Sequence, residues 1–227
     1  VGGSSEKDII LTNEWTRQQV TFTASSPTGV VKTHAAITRT PNNDAIVYLA
    51  FAQVEQGSYP TSYIKTQGST VTRNADLYEK TGISDKINSE EGVLFAEIAS
   101  LIGDEAVGQL SISNGTSSET VKILWLSANS IRLEMNTASG TDFFKDVTVT
   151  RNGEFDKLAI QYKSNNYKIY LNGSPQTVTQ TAAIPSGLNK LSLDRGDGGS
   201  IFFGKVKQLQ VFKTALSDSE LATLTTI

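Results

Sequence analysis

Apolar and polar residues alternate with a period of two along most of this chain, and this pattern constrains its fold more than any other feature. Within residues 15–24, Val20, Phe22 and Ala24 share one face of an extended strand. Residues 45–54 are apolar on both faces, as a strand covered on both sides is. Nine further runs follow, at 92–100, 107–113, 121–127, 130–136, 146–150, 156–163, 167–173, 189–194 and 205–212. The chain is therefore predicted to consist mainly of β-strands.

Turn residues separate these runs, and one helix ends the pattern. Residues 164–167, SNNY, join two runs, and the Asn172-Gly173 pair is typical of a tight hairpin turn. Ser217, with Glu220 three residues later, forms a capping box at the start of a helix over 216–224. We expect this helix to cover an edge or an end of a sheet. Many short strands and one short C-terminal helix predict an all-β fold, an antiparallel β-sandwich of the jelly-roll type.

A polar segment, residues 52–73, interrupts the strand pattern, and we call it the strap. Residues 1–66 hold only three or four predicted strands, which is too few to close a sandwich. The residues after the strap hold nine, enough for two packed sheets. We therefore predict a partial β-sandwich in 1–66, a linker in 67–89 and a complete sandwich in 90–227.

Composition excludes several classes of function. The net charge is -3, so the chain lacks the basic field that holds a nucleic acid, and no apolar run is long enough for membrane insertion. Cysteine is absent, which excludes thiolate metal sites and thiol nucleophiles. A Ser-His-Asp triad would depend on His34, the one histidine, which we interpret as a solvated strand residue.

The strap and the residues beside it are similar to a segment found in other proteins. Residues 51–77, FAQVEQGSYPTSYIKTQGSTVTRNADL, resemble a segment of bacteriophage tail-fibre and other virion proteins, where a carbohydrate-module-like β-sandwich ends in a similar run. Residues 14–24, EWTRQQVTFTA, are similar to the Trp-led strand of those modules. The resemblance implies that residues 1–66 are the C-terminal part of such a module. It also implies a virion (tail fibre) or extracellular location, and it allows a homo-oligomer, a trimer, within a fibre.

The C-terminal part carries a second resemblance. Residues 154–176, EFDKLAIQYKSNNYKIYLNGSPQ, resemble the strand-hairpin-strand unit of the concanavalin A-like lectin/glucanase superfamily in its laminin-G-like branch. Residues 204–224, GKVKQLQVFKTALSDSELATL, are similar to the closing strand and helix of that family. Phe155 stands where the family often has Trp, which alters packing more than function. The resemblance implies a lectin-like sandwich that binds carbohydrate.

Glucanase members of this superfamily carry carboxylates at alternating positions of one strand, where a nucleophile and an acid/base flank the scissile bond. Glu97 stands alone in its predicted strand, and Glu134 stands beside Arg132, so no strand has the Glu-x-Asp pattern. We interpret Glu134 and Arg132 as members of an exposed cross-strand pair. The chain is therefore predicted not to be an enzyme.

Residues 193–200, LDRGDGGS, are the predicted carbohydrate-binding loop. Asp194, Arg195 and Asp197 lie there among glycines, and their charged groups suit hydrogen bonds to sugar hydroxyls. Asp194 and Asp197 are also the predicted metal ligands, for Ca²⁺, since related laminin-G-like domains often bind calcium at a rim. A solvated Gly-rich turn is the alternative. Trp125 is a further predicted sugar contact through stacking, with packing in the core as its alternative, because it shares a face with Val121 and Ile123.

The function predicted from the sequence is that of a non-catalytic, lectin-like module of a phage tail fibre or virion protein. Its expected partner is a glycan or polysaccharide on a bacterial surface. Two alternatives stay open: a structural virion domain without a ligand, and a carbohydrate-binding appendage of a secreted polysaccharide-degrading enzyme.

Overall fold

The computed structural model describes residues 7–10, 12–23, 46–55, 60–72, 77–100, 108–127, 129–149, 153–178 and 183–227. His34 lies outside the described residues, so its interpretation as a solvated strand residue stays a prediction. The chain divides into two units, residues 1–74 and 75–227.

The second unit is a β-sandwich. Its strands are β1 (Glu79–Lys80), β2 (Glu91–Ala99), β3 (Gln109–Ser113), β4 (Thr120–Ser127), β5 (Ser130–Thr137), β6 (Gly140–Thr148), β7 (Asp156–Lys163), β8 (Lys168–Leu171), β9 (Ser174–Gln176), β10 (Lys190–Ser192) and β11 (Lys205–Phe212). They form a six-stranded sheet in the order β1-β10-β3-β4-β5-β6 and a five-stranded sheet in the order β11-β2-β7-β8-β9. Neighbouring strands in both sheets are antiparallel. The predicted antiparallel sandwich is confirmed.

Alternate side chains of both sheets point inward and form one core. Ile123 and Leu133 from the six-stranded sheet are buried with Leu94 and Ile160 from the five-stranded sheet. Burying each such side chain contributes about 1.5–3 kcal/mol. The strands therefore follow from the alternation, because every second residue has an apolar side chain to bury.

The predicted helix is present as α1 (Asp218–Thr225), with Ser217 as N-cap and both bonds of the capping box to Glu220. Leu221 packs with Val93 and Phe95 on the face of the five-stranded sheet that points away from the main core. The helix thus covers a sheet face and not an edge or end, because the outward side chains of β2 are themselves apolar and need a covering layer. No helix in the described parts of the chain has the length and apolar character that crossing a membrane requires.

The β8–β9 connection confirms the predicted Asn-Gly turn. Asn172 and Gly173 have φ angles of 48° and 79°, the positive values that a type I′ turn requires at both central residues. The Asn172 side chain also accepts a hydrogen bond from Lys157 N and donates one to Asp156 Oδ1, both at 2.8 Å. The turn therefore fixes the start of β7 as well as the end of β8.

Part of the predicted linker 67–89 belongs to the sandwich. Glu79 and Lys80 form β1, which pairs with β10, and Ile87 is buried in the core with Ile83 packed against it. Only two residues pair in β1, too few for alternation to indicate a strand.

The described residues of the first unit contain neither helix nor strand. The strands predicted within 15–24 and 45–54 are not formed in the described parts, 12–23 and 46–55, where large apolar side chains such as Ile46 and Leu49 are exposed. A strand that is apolar on both faces needs a sheet and a covering layer, and these few segments supply neither.

The strap is held by its own side chains. Glu55 accepts hydrogen bonds from Thr61 N and Thr61 Oγ1, both at 2.6 Å, and Gln53 Oε1 accepts one from Ile64 N at 2.7 Å. The bond from Thr61 lowers the pKa of Glu55. The polar residues of this motif thus replace strand pairing with local bonds between side chain and backbone.

Candidate functional site

The six-stranded sheet turns an unusually polar face away from the core, and we call it the outer face. Alternation brings these side chains to it, opposite the inward residues of the same strands. Its members include Gln109, Ser111, Ser113, Thr120, Lys122, Arg132, Glu134, Asn136, Phe144, Asp146, Lys190 and Ser192. Several of them are buried, including Ser111, Lys122 and Glu134. Buried polar groups must find partners, so this face is tightly organised.

An ion pair lies at the centre of the outer face. Lys122 on β4 and Glu134 on β5 stand opposite each other, with 2.9 Å between Lys122 Nζ and Glu134 Oε1. Their side chains are only 7% and 10% exposed. Arg132 NH1 lies 3.8 Å from Glu134 Oε2. Glu134 is therefore a buried partner of two cations, and the prediction of an exposed pair is wrong because Lys122 on the next strand encloses it.

A second, more exposed group adjoins the first. Arg132 donates two hydrogen bonds to Asp146, from Nε to Oδ1 at 2.6 Å and from NH2 to Oδ2 at 2.9 Å. This bidentate bond lowers the pKa of Asp146 and raises the pKa of Arg132. The guanidinium carbon lies 4.3 Å from the centre of the Phe144 ring. We call Arg132, Phe144 and Asp146 the surface triad; Arg132 is half-buried and the other two are exposed.

The predicted loop, residues 193–200, is anchored on the same face. Asp194 is 4% exposed, and its Oδ1 accepts hydrogen bonds from Ser192 Oγ at 2.9 Å, from Gly196 N and from Gly198 N. The Asp194 carbonyl oxygen accepts a further bond from Ser111 Oγ at 2.9 Å. This carboxylate therefore organises the loop from within and does not face solvent.

Gly196 is required where the loop meets the sheet. Its φ is 106°, and an added Cβ would lie 2.9 Å from Ser113 Cβ and 2.8 Å from the Thr116 carbonyl oxygen. A side chain would therefore be strained by both conformation and space. The close approach places the loop beside residues 114–119, which connect β3 to β4.

Arg195 and Asp197 form an ion pair at the exposed tip of the loop. Arg195 NH2 lies 2.8 Å from Asp197 Oδ2, and Asp197 Oδ1 accepts a bond from Gly199 N at 3.0 Å. The hydrogen bond from Arg195, with help from Gly199, lowers the pKa of Asp197 to about 2. The same pair raises the pKa of Arg195.

The structure brings Asp194, Arg195 and Asp197 together at one border of the outer face, but it separates Trp125 from them. Trp125 is 2% exposed and lies in the core, on the opposite side of β4 from Lys122. A ring without exposed surface has no room to stack on a sugar, so the prediction of Trp125 as a sugar contact is wrong. The alternative of core packing fits, since Trp125 shares its face with Val121 and Ile123.

The carboxylates of the two predicted calcium ligands are already engaged by hydrogen-bond donors of the protein. Asp194 Oδ1 is bonded by one hydroxyl and two backbone N–H groups, and Asp197 is paired with Arg195. No group of three or more His, Cys, Asp or Glu among the described residues is placed to hold a metal ion. This arrangement does not fit a Ca²⁺ site as it stands, because calcium takes six to eight oxygen ligands. Calcium binding stays a prediction.

Residues 102–222, more than half of the 227-residue chain, match the family Laminin_G_3 of the concanavalin A-like lectin/glucanases superfamily. The chain belongs to this family. The match includes most strands of the sandwich, the surface triad and loop 193–200. None of the curated proteins compared with the chain is significantly similar to it in sequence.

Solved structures share the fold at low sequence identity. The CBM40 module of the Ruminococcus gnavus IT-sialidase, solved with α2,3-sialyllactose, is 20% identical with a TM-score of 0.51, and the match covers 63% of this chain and 86% of that one. A leech intramolecular trans-sialidase is 15% identical with a TM-score of 0.50, covering 62% of this chain and 24% of the enzyme. The NanB sialidase of Streptococcus pneumoniae is 18% identical with a TM-score of 0.50, covering 65% and 26%. The chain thus spans about a quarter of each whole sialidase, and these likenesses show a shared lectin-like fold.

Proposed function

We propose that this chain is a non-catalytic carbohydrate-binding module whose outer face recognises a glycan on a bacterial surface. The observation that carries the proposal is the surface triad. Arg132 and Asp146 offer fixed donors and acceptors for sugar hydroxyls, and Phe144 adds an exposed apolar ring beside them. A rigid sheet holds all three, so little ordering is required when a ligand binds.

The likeness to modules that bind sugars supports this proposal. The Ruminococcus gnavus CBM40 module, which has the same fold, binds α2,3-sialyllactose in its solved structure. A fold hosts many functions, so the proposal rests on the outer face itself. Loop 193–200 adds an exposed Arg195–Asp197 pair at the border of that face.

The pairing of carboxylates supports a non-catalytic role. Glu134 is paired with Lys122 and Asp146 with Arg132, and the bond from Arg132 lowers the pKa of Asp146. A general acid in glycoside hydrolysis requires a raised pKa and a second carboxylate across the bond. Glu97 lies on the outward side of the five-stranded sheet and is paired with Lys207 at 2.6 Å. It is therefore on the other side of the sandwich from Glu134.

The resemblance of the strap to tail-fibre segments supports placing the module in a virion protein. Several copies in a fibre would strengthen weak sites through effective concentration.

One observation favours a second candidate, an appendage of a polysaccharide-degrading enzyme: the matched sialidases are about four times as long as the part that the chain matches. The neighbouring genes, tail genes or hydrolase genes, distinguish the two.

A glycan array that includes bacterial surface polysaccharides tests the proposal. The purified chain should bind a restricted set of glycans, and the Phe144→Ala variant should lose most of that signal because the ring is removed. Lys205→Met is the matched control, since Lys205 is exposed on β11 of the other sheet. An array without any signal for the wild-type chain would favour the structural alternative.

A further inference from the structure

A cavity lies at one end of the sandwich, where its walls come from both sheets. Its volume is about 470 Å³, and it lies at the end of β6, the start of β7 and the end of β8. The residues that line it include Thr148, Val149, Phe155, Asp156, Leu171 and Asn172. Val149 belongs to the main core and Leu171 packs against that core, so part of the wall is apolar. A cavity of this size can hold a small ligand.

Asp156 occupies a position of β7 where the alternation requires an apolar residue. It stands opposite Ile98 on β2, and the next residue on the same side of β7 is Leu158; both neighbours lie in the core. Asp156 therefore points toward the space between the sheets, where it is half-buried. A charge in such a position lowers stability unless it has a partner, and a polar residue that breaks a local rule in this way is expected at a functional site.

The Asp156 carboxylate has no cationic partner among the described residues. Asn172 Nδ2 donates to its Oδ1 at 2.8 Å, and its Oδ2 accepts no hydrogen bond from the described part of the chain. Lys157 lies on the other side of β7 and donates to a backbone carbonyl oxygen at 2.8 Å, and Lys207 is paired with Glu97 at 2.6 Å. Burial raises the pKa of Asp156, as it does for a carboxylate that no cation compensates.

These features limit the ligand to a cation with an apolar side. An ammonium group supplies both the charge and the N–H donors that Asp156 lacks. Glu154, which precedes β7, lines the same cavity, so an anionic ligand would meet two carboxylates. A neutral hydroxyl can donate to Asp156 Oδ2, but it leaves the charge of the half-buried carboxylate without compensation. The apolar residues of the wall suit a ligand that carries its ammonium group on a carbon framework.

The cavity adjoins the outer face. Thr148, in its wall, follows Asp146 by two residues on β6 and therefore lies on the same side of that strand as the surface triad. A glycan on the outer face is thus within reach of the cavity.

We propose that the cavity is a subsite for an amino sugar with a free amine, within a glycan that also contacts the outer face. The ammonium group donates to Asp156 Oδ2, and the C–H groups of the sugar ring pack against Phe155 and Leu171. This subsite rests on the proposed carbohydrate-binding function and narrows it to glycans that contain such a sugar.

Binding of three matched trimers to the whole chain, measured by calorimetry, tests the subsite. The trimers of glucosamine, N-acetylglucosamine and glucose, all with the same linkage, differ in one ring substituent: an ammonium, an acetamide or a hydroxyl. Wild type should bind the glucosamine trimer about tenfold or more tightly than the other two, as a charge-assisted hydrogen bond gives. Asp156→Asn should remove that preference. Asp85→Asn, which removes the same charge at an exposed aspartate, is the matched control and should retain it.

A thermal melt of the free variants separates binding from folding. Asp156→Asn keeps an oxygen that accepts the bond from Asn172 and removes the half-buried charge, so it should melt at the wild-type temperature or above it. A clearly lower melting temperature would assign Asp156 a structural role and overturn the subsite.

Three binding results also overturn the subsite and, provided that glycans on the array bind, leave the proposed function standing. They are equal binding of the three trimers, no binding of the glucosamine trimer, and an unchanged preference in Asp156→Asn. If neither these trimers nor any glycan on the array binds, the proposed function fails and the subsite fails with it.

Discussion

Lys122 and Glu134 form an ion pair of 2.9 Å whose two side chains are almost completely buried on the outward face of a sheet. Side chains buried to this degree are normally apolar, whereas these two carry opposite charges. Removing charges from water is costly, and only a close partner compensates for it. The pair therefore makes the outer face rigid, and it sets the position of Arg132 beside it.

Glu134→Gln should destabilise the chain strongly, because it leaves the Lys122 ammonium buried without its partner. We expect a loss of about 3 kcal/mol in the free energy of unfolding. The double variant Lys122→Met, Glu134→Gln should recover much of that loss in chemical denaturation. Glu91→Gln is the control, since the Glu91–Lys163 pair is more exposed and its loss should change stability far less. Equal effects of the two Gln variants would contradict the assignment of a buried pair.

Asp194→Ala should weaken the sandwich through loop 193–200. The carboxylate accepts one hydroxyl and two backbone bonds, and its loss leaves these donors unpaired at a cost of about 1–3 kcal/mol. Asp194→Asn keeps one acceptor oxygen and should lose less. Asp85→Ala, at an exposed aspartate, should leave the midpoint of urea unfolding unchanged. Unfolding of Asp194→Ala at the wild-type midpoint would show that this carboxylate does not hold the loop.

Asp197 should make stability depend on pH in a defined window. Its pKa is lowered to about 2 in the folded chain, mainly by Arg195. The unfolded chain, with an aspartate pKa of about 3.9, binds the proton first as pH falls. The contribution of this pair is therefore fully present above about pH 4 and is lost as pH falls toward 2.

The measurement compares thermal melts of wild type and Asp197→Asn from neutral pH downward. The wild type should melt at the higher temperature above about pH 4, and the difference should disappear near pH 2. Arg195→Met should reduce the pH dependence of that difference, leaving the smaller part that the Gly199 N–H contributes. A difference that is the same at every pH would show that Arg195 does not stabilise the ionised Asp197.

The sandwich could be predicted because, within each strand, the apolar residues at every second position identify the side that faces the core. All nine runs predicted after the strap correspond to strands in the structure. The sequence missed the two-residue β1, β9, where Pro175 is tolerated at a sheet edge, and the first six residues of β6. The strands predicted within 15–24 and 45–54 are not formed in their described parts for a different reason: alternation indicates a strand but does not supply the neighbours that it needs.

The candidate site was less predictable, because its residues lie on separate strands. Loop 193–200 was visible as a cluster of charges in one short segment, although the burial of Asp194 was not. Lys122, Arg132 and Asp146 come together through the register of β4, β5 and β6, which no local pattern specifies. The burial of Trp125 in the core could have been predicted from its neighbours on β4, since Val121 and Ile123 share its face.

Ser217→Ala should weaken the helix that covers the five-stranded sheet. The Ser217 side chain accepts a bond from Glu220 N at 3.3 Å and completes the capping box. Loss of such a cap costs about 1 kcal/mol. Thr223→Ala on the exposed side of the same helix is the control and should change the melting temperature little. Unchanged stability of Ser217→Ala would mean that apolar packing, with Leu221 at its centre, holds the helix in place without the cap.

The affinity of Arg132→Met for the best glycan from the array tests the central claim most directly. The claim is that the outer face, through the surface triad, binds carbohydrate. Charge-assisted hydrogen bonds contribute about 1.5–3 kcal/mol each, so the variant should bind about tenfold or more weakly. The Lys205→Met control should bind as wild type does, and both variants should be checked for folding by circular dichroism. Wild-type affinity in a folded Arg132→Met variant would contradict the claim and place the glycan on another surface.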